Sequence, residues 1–178
     1  AGNGYAPSLL VSLPTAAAEL NLSASGNLDT SAAMLSVTNT NAASDAEAKT
    51  TLASSAGTVN AGPVSVVNNG NGLAQLTVSG QEGATIAGVL SAASDNGTAN
   101  IALGSGSGNL IIGQAVTATG DDSATVNVTA QGGLNVNADI AASAVNGQAQ
   151  VALSSETDKV VLNGNVNANG GSQGGVNV

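Results

Sequence analysis

Apolar and polar residues alternate along this chain, and the alternation returns at a fixed interval. It is clearest in four short segments, Ala99–Leu103, Ala124–Val128, Ala149–Leu153 and Gly174–Val178. Their central residues Ile101, Val126, Val151 and Val176 stand 25 residues apart. A second apolar series precedes each segment, through Ile86 and Leu90, Ile112 and Val116, Val136 and Ile140, and Leu162 and Val166, with steps of 26, 24 and 26. Strict alternation reads as a strand with one buried face. A self-similar period of this length reads as a repeat architecture. Extended backwards, the period places Leu76 25 residues before Ile101 and Val64 26 before Leu90. Strands are thus predicted in a region that did not define the repeat, and roughly six turns fit between Leu20 and Val178.

Between the apolar segments lie Asn68–Gly72, Ser94–Gly97, Gly120–Ser123, Val145–Gly147 and Gly170–Gln173. Gly, Asn, Asp and Ser supply positive φ and local side-chain-to-backbone bonds, so these are turns. Earlier in the chain Glu19–Ser23 and Met34–Thr38 alternate as strands. The stretch 39–49 breaks the pattern and reads as an insertion in one turn, a loop or short helical excursion, because so short an Ala/Glu/Lys run holds a helix only when packed. Residues 1–15 form a separate unit before the repeat domain of residues 16–178. There Pro7 and Pro14 bracket Leu9, Leu10, Val11 and Leu13. Proline cannot donate to a ladder, which suits an edge strand or extended arm. Two readings follow: a first strand or cap over the core, or an arm that inserts into a neighbouring subunit.

The predicted fold is all-β, about 25 residues per turn, with two strands and two corners in each turn of a parallel β-helix. Leu76, Ile101, Val126, Val151 and Val176 then form one inward ladder, and Ile112, Val136 and Leu162 another. The alternative is an antiparallel β-sandwich or meander. A narrow lumen suits this chain better than the wide gap of a sandwich, since Tyr5 is its single aromatic residue.

Composition then narrows the function. Charged residues make up 7% of the chain and hydrophobic ones 42%, which is neither a typical globular surface nor the profile of a disordered chain. Eleven acidic residues against two lysines, and no arginine, speak against binding nucleic acid or an anionic membrane surface. No apolar run is long enough for a membrane span. The absence of Cys and His, with that of Arg, removes nucleophile–base triads and imidazole or thiolate metal sites, so an enzyme is not expected. Asp121-Asp122 is the sole adjacent carboxylate pair and reads as a solvated turn. No cofactor is expected. Calcium is the one candidate, through Asp95, Asp121 and Asp122 at equivalent corners, against the plainer reading of these as solvated turn residues. Three acceptor patterns for N-linked glycan, at Asn21, Asn96 and Asn127, are expected by chance in a chain so rich in Asn, Ser and Thr.

Val160–Val178, with its run of Asn, Gly and Val, resembles the repeats of filamentous-haemagglutinin-type bacterial exoproteins, as does Leu110–Gly120. The resemblance extends over about residues 57–178. It implies a secreted, right-handed parallel β-helix that serves adhesion and biofilm structure. The Asn-Pro-Asn-Gly motif of that family's secretion domain is not found in this chain. The expected function is an extracellular, secreted or cell-surface structural protein, a self-assembling filament subunit or shaft segment. Leu9, Leu10, Val11 and Leu13 would be its joining arm, complementing the next subunit, and Val176 and Val178 the receiving edge. The expected partners are further copies of the chain and a host or matrix surface. Two alternatives are a module binding glycan, mineral or ice through outward Thr77, Thr117, Thr125 and Thr129, and a cross-β functional amyloid.

Overall fold

The structure, a computed structural model, describes residues 8–178 apart from positions 15 and 44. Every described element is a strand. The first coil holds β1 (Ser8–Leu13), β2 (Ala18–Ala24) and β3 (Leu28–Asp29), and the second β4 (Met34–Asn39), β5 (Ala48–Ser54) and β6 (Thr58–Ala61). The third holds β7 (Val64–Asn68), β8 (Leu73–Gly80) and β9 (Gly83–Ile86), and the fourth β10 (Leu90–Ser94), β11 (Thr98–Ser105) and β12 (Leu110–Ile112). Then follow β13 (Val116–Gly120), β14 (Ser123–Ala130) and β15 (Leu134–Val136), and β16 (Ile140–Ala144), β17 (Gln148–Ser155) and β18 (Val160–Leu162). Two strands of a seventh coil, β19 (Val166–Gly170) and β20 (Gln173–Asn177), close the series.

Every third strand pairs, always in parallel. Sheet A is β1-β4-β7-β10-β13-β16-β19, sheet B is β2-β5-β8-β11-β14-β17-β20, and sheet C runs from β3 to β18. This is a β-solenoid, and the parallel pairing of every strand rules out the antiparallel sandwich. Leu76, Ile101, Val126, Val151 and Val176 are direct neighbours in sheet B, so the 25-residue interval is one coil. Seven strands at the usual spacing make a sheet about 29 Å long.

The expectation of two strands per turn is corrected to three. The second apolar series belongs to two sheets, with Ile86, Ile112, Val136 and Leu162 in sheet C and Leu90, Val116, Ile140 and Val166 in sheet A. Each such pair is four residues apart, an even number, so the two-residue phase runs through the corner unbroken. The corner at Ala87–Val89 is nevertheless sharp: the amides of Ala87 and Gly88 both donate to the Ala61 carbonyl, at 2.8 and 3.0 Å.

The lumen is filled by aliphatic columns. Ala18, Ala48, Ala74, Ala99, Ala124 and Ala149 stack near the start of the sheet B strands, all fully buried or nearly so. Leu52, Leu76, Ile101, Leu110 and Ile140 are among the largest fully buried side chains, contributed by all three sheets. Burying apolar surface drives the fold at roughly 25 cal/mol per Å². Inward hydroxyls appear at the corner after sheet B, where they close backbone ends: Ser54 donates to the Gly26 carbonyl (2.6 Å), Ser105 to that of Gly108 (2.6 Å) and Ser155 to that of Gly132 (2.7 Å). At this corner Gly83 takes φ +148°, a conformation that side-chain-bearing residues rarely adopt.

The insertion lies at residues 40–47, where the corresponding later corners hold two to four residues. None of its described residues is helical. It is pinned from within, because the buried Asn39 and Asn68 amides both donate to the Ala46 carbonyl, at 2.9 Å each. In-register pairing resumes at once, with Lys49 between Glu19 and Gln75. No helix long and apolar enough to cross a membrane occurs among the described residues.

Candidate functional site

In the last described coil the inward side chains are solvent-accessible: Leu162 is 41% exposed and Val176 47%. Their counterparts one coil back, Val136 and Val151, are buried. Leu162 and Val176 are therefore in the ladder register expected of them but lack a covering coil. Val166 and Ala168 are half-buried beside them. Among the described residues no strand pairs with the outer edges of β18, β19 and β20. From Val160 to Val178 there is no charged residue and no proline.

At the other end, Leu9, Leu10, Val11 and Leu13 all lie on β1, which pairs residue for residue with β4. Leu9 stands opposite buried Leu35, and Val11 opposite buried Val37, so both point inward. Leu10 points outward opposite Ser36 and is 67% exposed. Residues 8–13 are thus a strand of sheet A, paired with β4. Residues 1–7 of the expected arm lie outside the described residues.

At two acidic corners the carboxylate accepts a hydrogen bond from the following coil. The amides of Asp121 and Asp122 both donate to the Gly97 carbonyl (3.0 and 3.1 Å), and Asn146 one coil on donates to the Asp121 carboxylate at 2.9 Å. Asn165 does the same for Asp139 through its backbone amide at 2.9 Å. The stack spaces such carboxylates one coil apart, and no group of three or more metal-ligating side chains occurs among the described residues. Asp95, Asp121 and Asp122 lie in corners between sheet A and sheet B, Asp95 after β10 and the other two after β13. Asp29 is the carboxylate the fold perturbs most clearly: the Ser31 hydroxyl and then the Ser31 amide (2.9 Å) hold its pKa below the ordinary value, with Asn60 adding to this and burial opposing it.

The outward threonines are dispersed. Thr77 lies on β8, Thr125 and Thr129 on β14, and Thr117 on β13 in another sheet. In its own column Thr77 is followed by Ala102. An apolar depression of about 260 Å³ was not anticipated; it lies where sheet C turns into sheet A, between Met34, Pro63 and Val89. Its signal in the sequence is positional, since these are the residues before Leu35, Val64 and Leu90, one column of sheet A.

Comparison of the chain with protein-family models, with curated proteins and with solved structures gave no match, so its likeness to filamentous-haemagglutinin-type repeats rests on the repeat pattern alone.

Proposed function

We propose that this chain is a non-enzymatic structural protein, a β-solenoid rod that joins end to end with further copies of itself into a filament or shaft outside the cell. The observation that carries this reading is the regularity of the stack: three parallel sheets in which each coil repeats the register of the one before, so that the chain is built as a rod. The strands within residues 160–177 continue that register with no charged residue and no proline, two devices that ordinarily discourage further strand pairing. The lack of His, Cys and Arg supports a role without catalysis. Adhesion or biofilm structure, with secretion to the cell surface, is the setting that the repeat pattern suggests.

Electron microscopy at neutral pH with light scattering tests the reading. Filaments one solenoid wide, lengthening with protein concentration, are expected. Single short particles at every concentration would remove self-association. A second reading, a module for glycan, mineral or ice, draws on one observation: the outward residues of sheet A, such as Ser36, Ser65, Ser91 and Thr117, carry no charge along its length. Silence on a glycan array and in an ice-recrystallisation assay would dispose of it.

A further inference from the structure

We propose that Asn96 is a site of spontaneous covalent change: its side-chain amide is converted, through a succinimide closed with Gly97, to a mixture of aspartate and isoaspartate. Asparagine is a thermally labile residue, and a following glycine leaves its own nitrogen unshielded by a Cβ. The reaction needs only water. The Gly97 backbone nitrogen gives up its proton to solvent and bonds to Cγ of Asn96, and the side-chain nitrogen leaves as ammonia. Water then opens the five-membered ring at either carbonyl. One opening gives aspartate, the other isoaspartate.

Asn–Gly pairs recur at the corners, and the fold holds them differently. Asn146 donates to the Asp121 carboxylate at 2.9 Å, and the Gly147 amide donates to the Asp121 carbonyl at 3.2 Å. The Asn163 side chain donates to Asn137 at 2.9 Å, and the Gly70 amide to the Asn68 side chain at 2.9 Å. Asn71 reaches Asp45 at 3.5 Å. Asn169 and Gly170 belong to the β19 ladder. Asn96 is exposed at the corner between β10 and β11, and among the described residues no hydrogen bond holds either its side chain or the Gly97 amide. Packing also keeps glycine at position 97, since a Cβ there would lie 2.3 Å from the Asn71 carbonyl oxygen and 2.4 Å from that of Gly72. The labile pair is thus built into the stack. Asn71, Asn96 and Asp121 each stand two residues before the paired Leu73, Thr98 and Ser123, so they share one corner position in successive coils. Conversion sets a new carboxylate one strand spacing, about 4.8 Å, from Asp121. Isoaspartate also adds a backbone carbon just before Gly97, whose carbonyl accepts the Asp121 and Asp122 amides at 3.0 and 3.1 Å. The seam between the fourth and fifth coils is where the rod loosens as it ages.

Incubation of the whole chain at mildly alkaline pH, then digestion at acidic pH and tandem mass spectrometry, follows each amide separately. Asn96 should convert roughly ten-fold faster than Asn146 or more, because ring closure at Asn146 must first break hydrogen bonds on both reacting groups. In denaturant the two rates should converge, since glycine follows both. Asn96→Gln cannot close a five-membered ring and should abolish the fast conversion while leaving that of Asn146 unaltered. Native Asn96 converting no faster than Asn146, or keeping its amide while the denatured chain loses it, would overturn the proposal. Aspartate without isoaspartate would mean direct hydrolysis and would remove the succinimide.

Discussion

Thr50 is the residue that fits its surroundings least. Its side chain is buried in sheet B between Leu20 and Leu76, and its hydroxyl has no hydrogen-bond partner. An unmade hydrogen bond of this kind costs about 1–3 kcal/mol. Thr50→Val keeps the branched shape and should stabilise the fold by about 1 kcal/mol, seen as a higher denaturant midpoint with an unchanged slope; a lower midpoint would show that the hydroxyl has a partner. Asp29 carries the opposite kind of information. Its folded pKa is depressed, first by Ser31 and then by Asn60. The stabilisation is therefore present above the ordinary carboxylate pKa, about 3.9, and is lost as pH falls through the lower folded value. The melting temperature of wild type should exceed that of Asp29→Asn at neutral pH, and the difference should shrink as the solution is acidified below about pH 4. A pH-independent difference would mean that the carboxylate's charge plays no part.

At the scale of the element, position in the stack decides what a side chain is worth. Ile112 and Leu162 occupy the same column of sheet C, two coils apart, but the first is fully buried and the second 41% exposed. Ile112→Ala should cost about 2–5 kcal/mol through lost burial and a cavity, and Leu162→Ala about 1 kcal/mol. Equal losses in denaturant melts would mean that a further element covers the terminal coil. The same pair shows how far the sequence could be read. Periodicity is local, so it revealed that both residues belong to inward ladders and missed the exposure of the second, which depends on what stacks above it. The ladder from Leu76 to Val176 was legible because its repeat is constant and its neighbours alternate. The division between sheets A and C was hidden, since Ile86 and Leu90 keep the same phase across a corner whose middle residue, Gly88, has no side chain to break the pattern. Asn68 looked like turn chemistry and is instead the buried last residue of β7, holding the insertion through the Ala46 carbonyl. Inward amides of that kind carry no signature until the chain they bind is placed beside them.

At the scale of the whole molecule, charge is concentrated at the corners between strands. The net charge of −9 sits largely on residues such as Glu82, Asp121, Asp139 and Glu156 between strands, while β18, β19 and β20 carry none. Repulsion between like-charged corners opposes side-by-side bundling of rods. Val176→Lys tests the proposed end-to-end contact. In a single rod the new ammonium sits at an open end beside solvent, so the stability of the monomer should change by roughly 0.5 kcal/mol or less. In the proposed end-to-end contact the same group would be taken out of water without a carboxylate partner, at a cost of several kcal/mol. If the proposed filaments form, light scattering should therefore report single particles from Val176→Lys at the concentrations where wild type assembles. Added salt should not restore growth, because buried charges are little screened. Leu10→Lys makes the same chemical change on the outward face of β1 and should leave filament length unaltered. If Val176→Lys polymerises as wild type does and Leu10→Lys does not, the contact runs along the side of the rod and the open ends have another use.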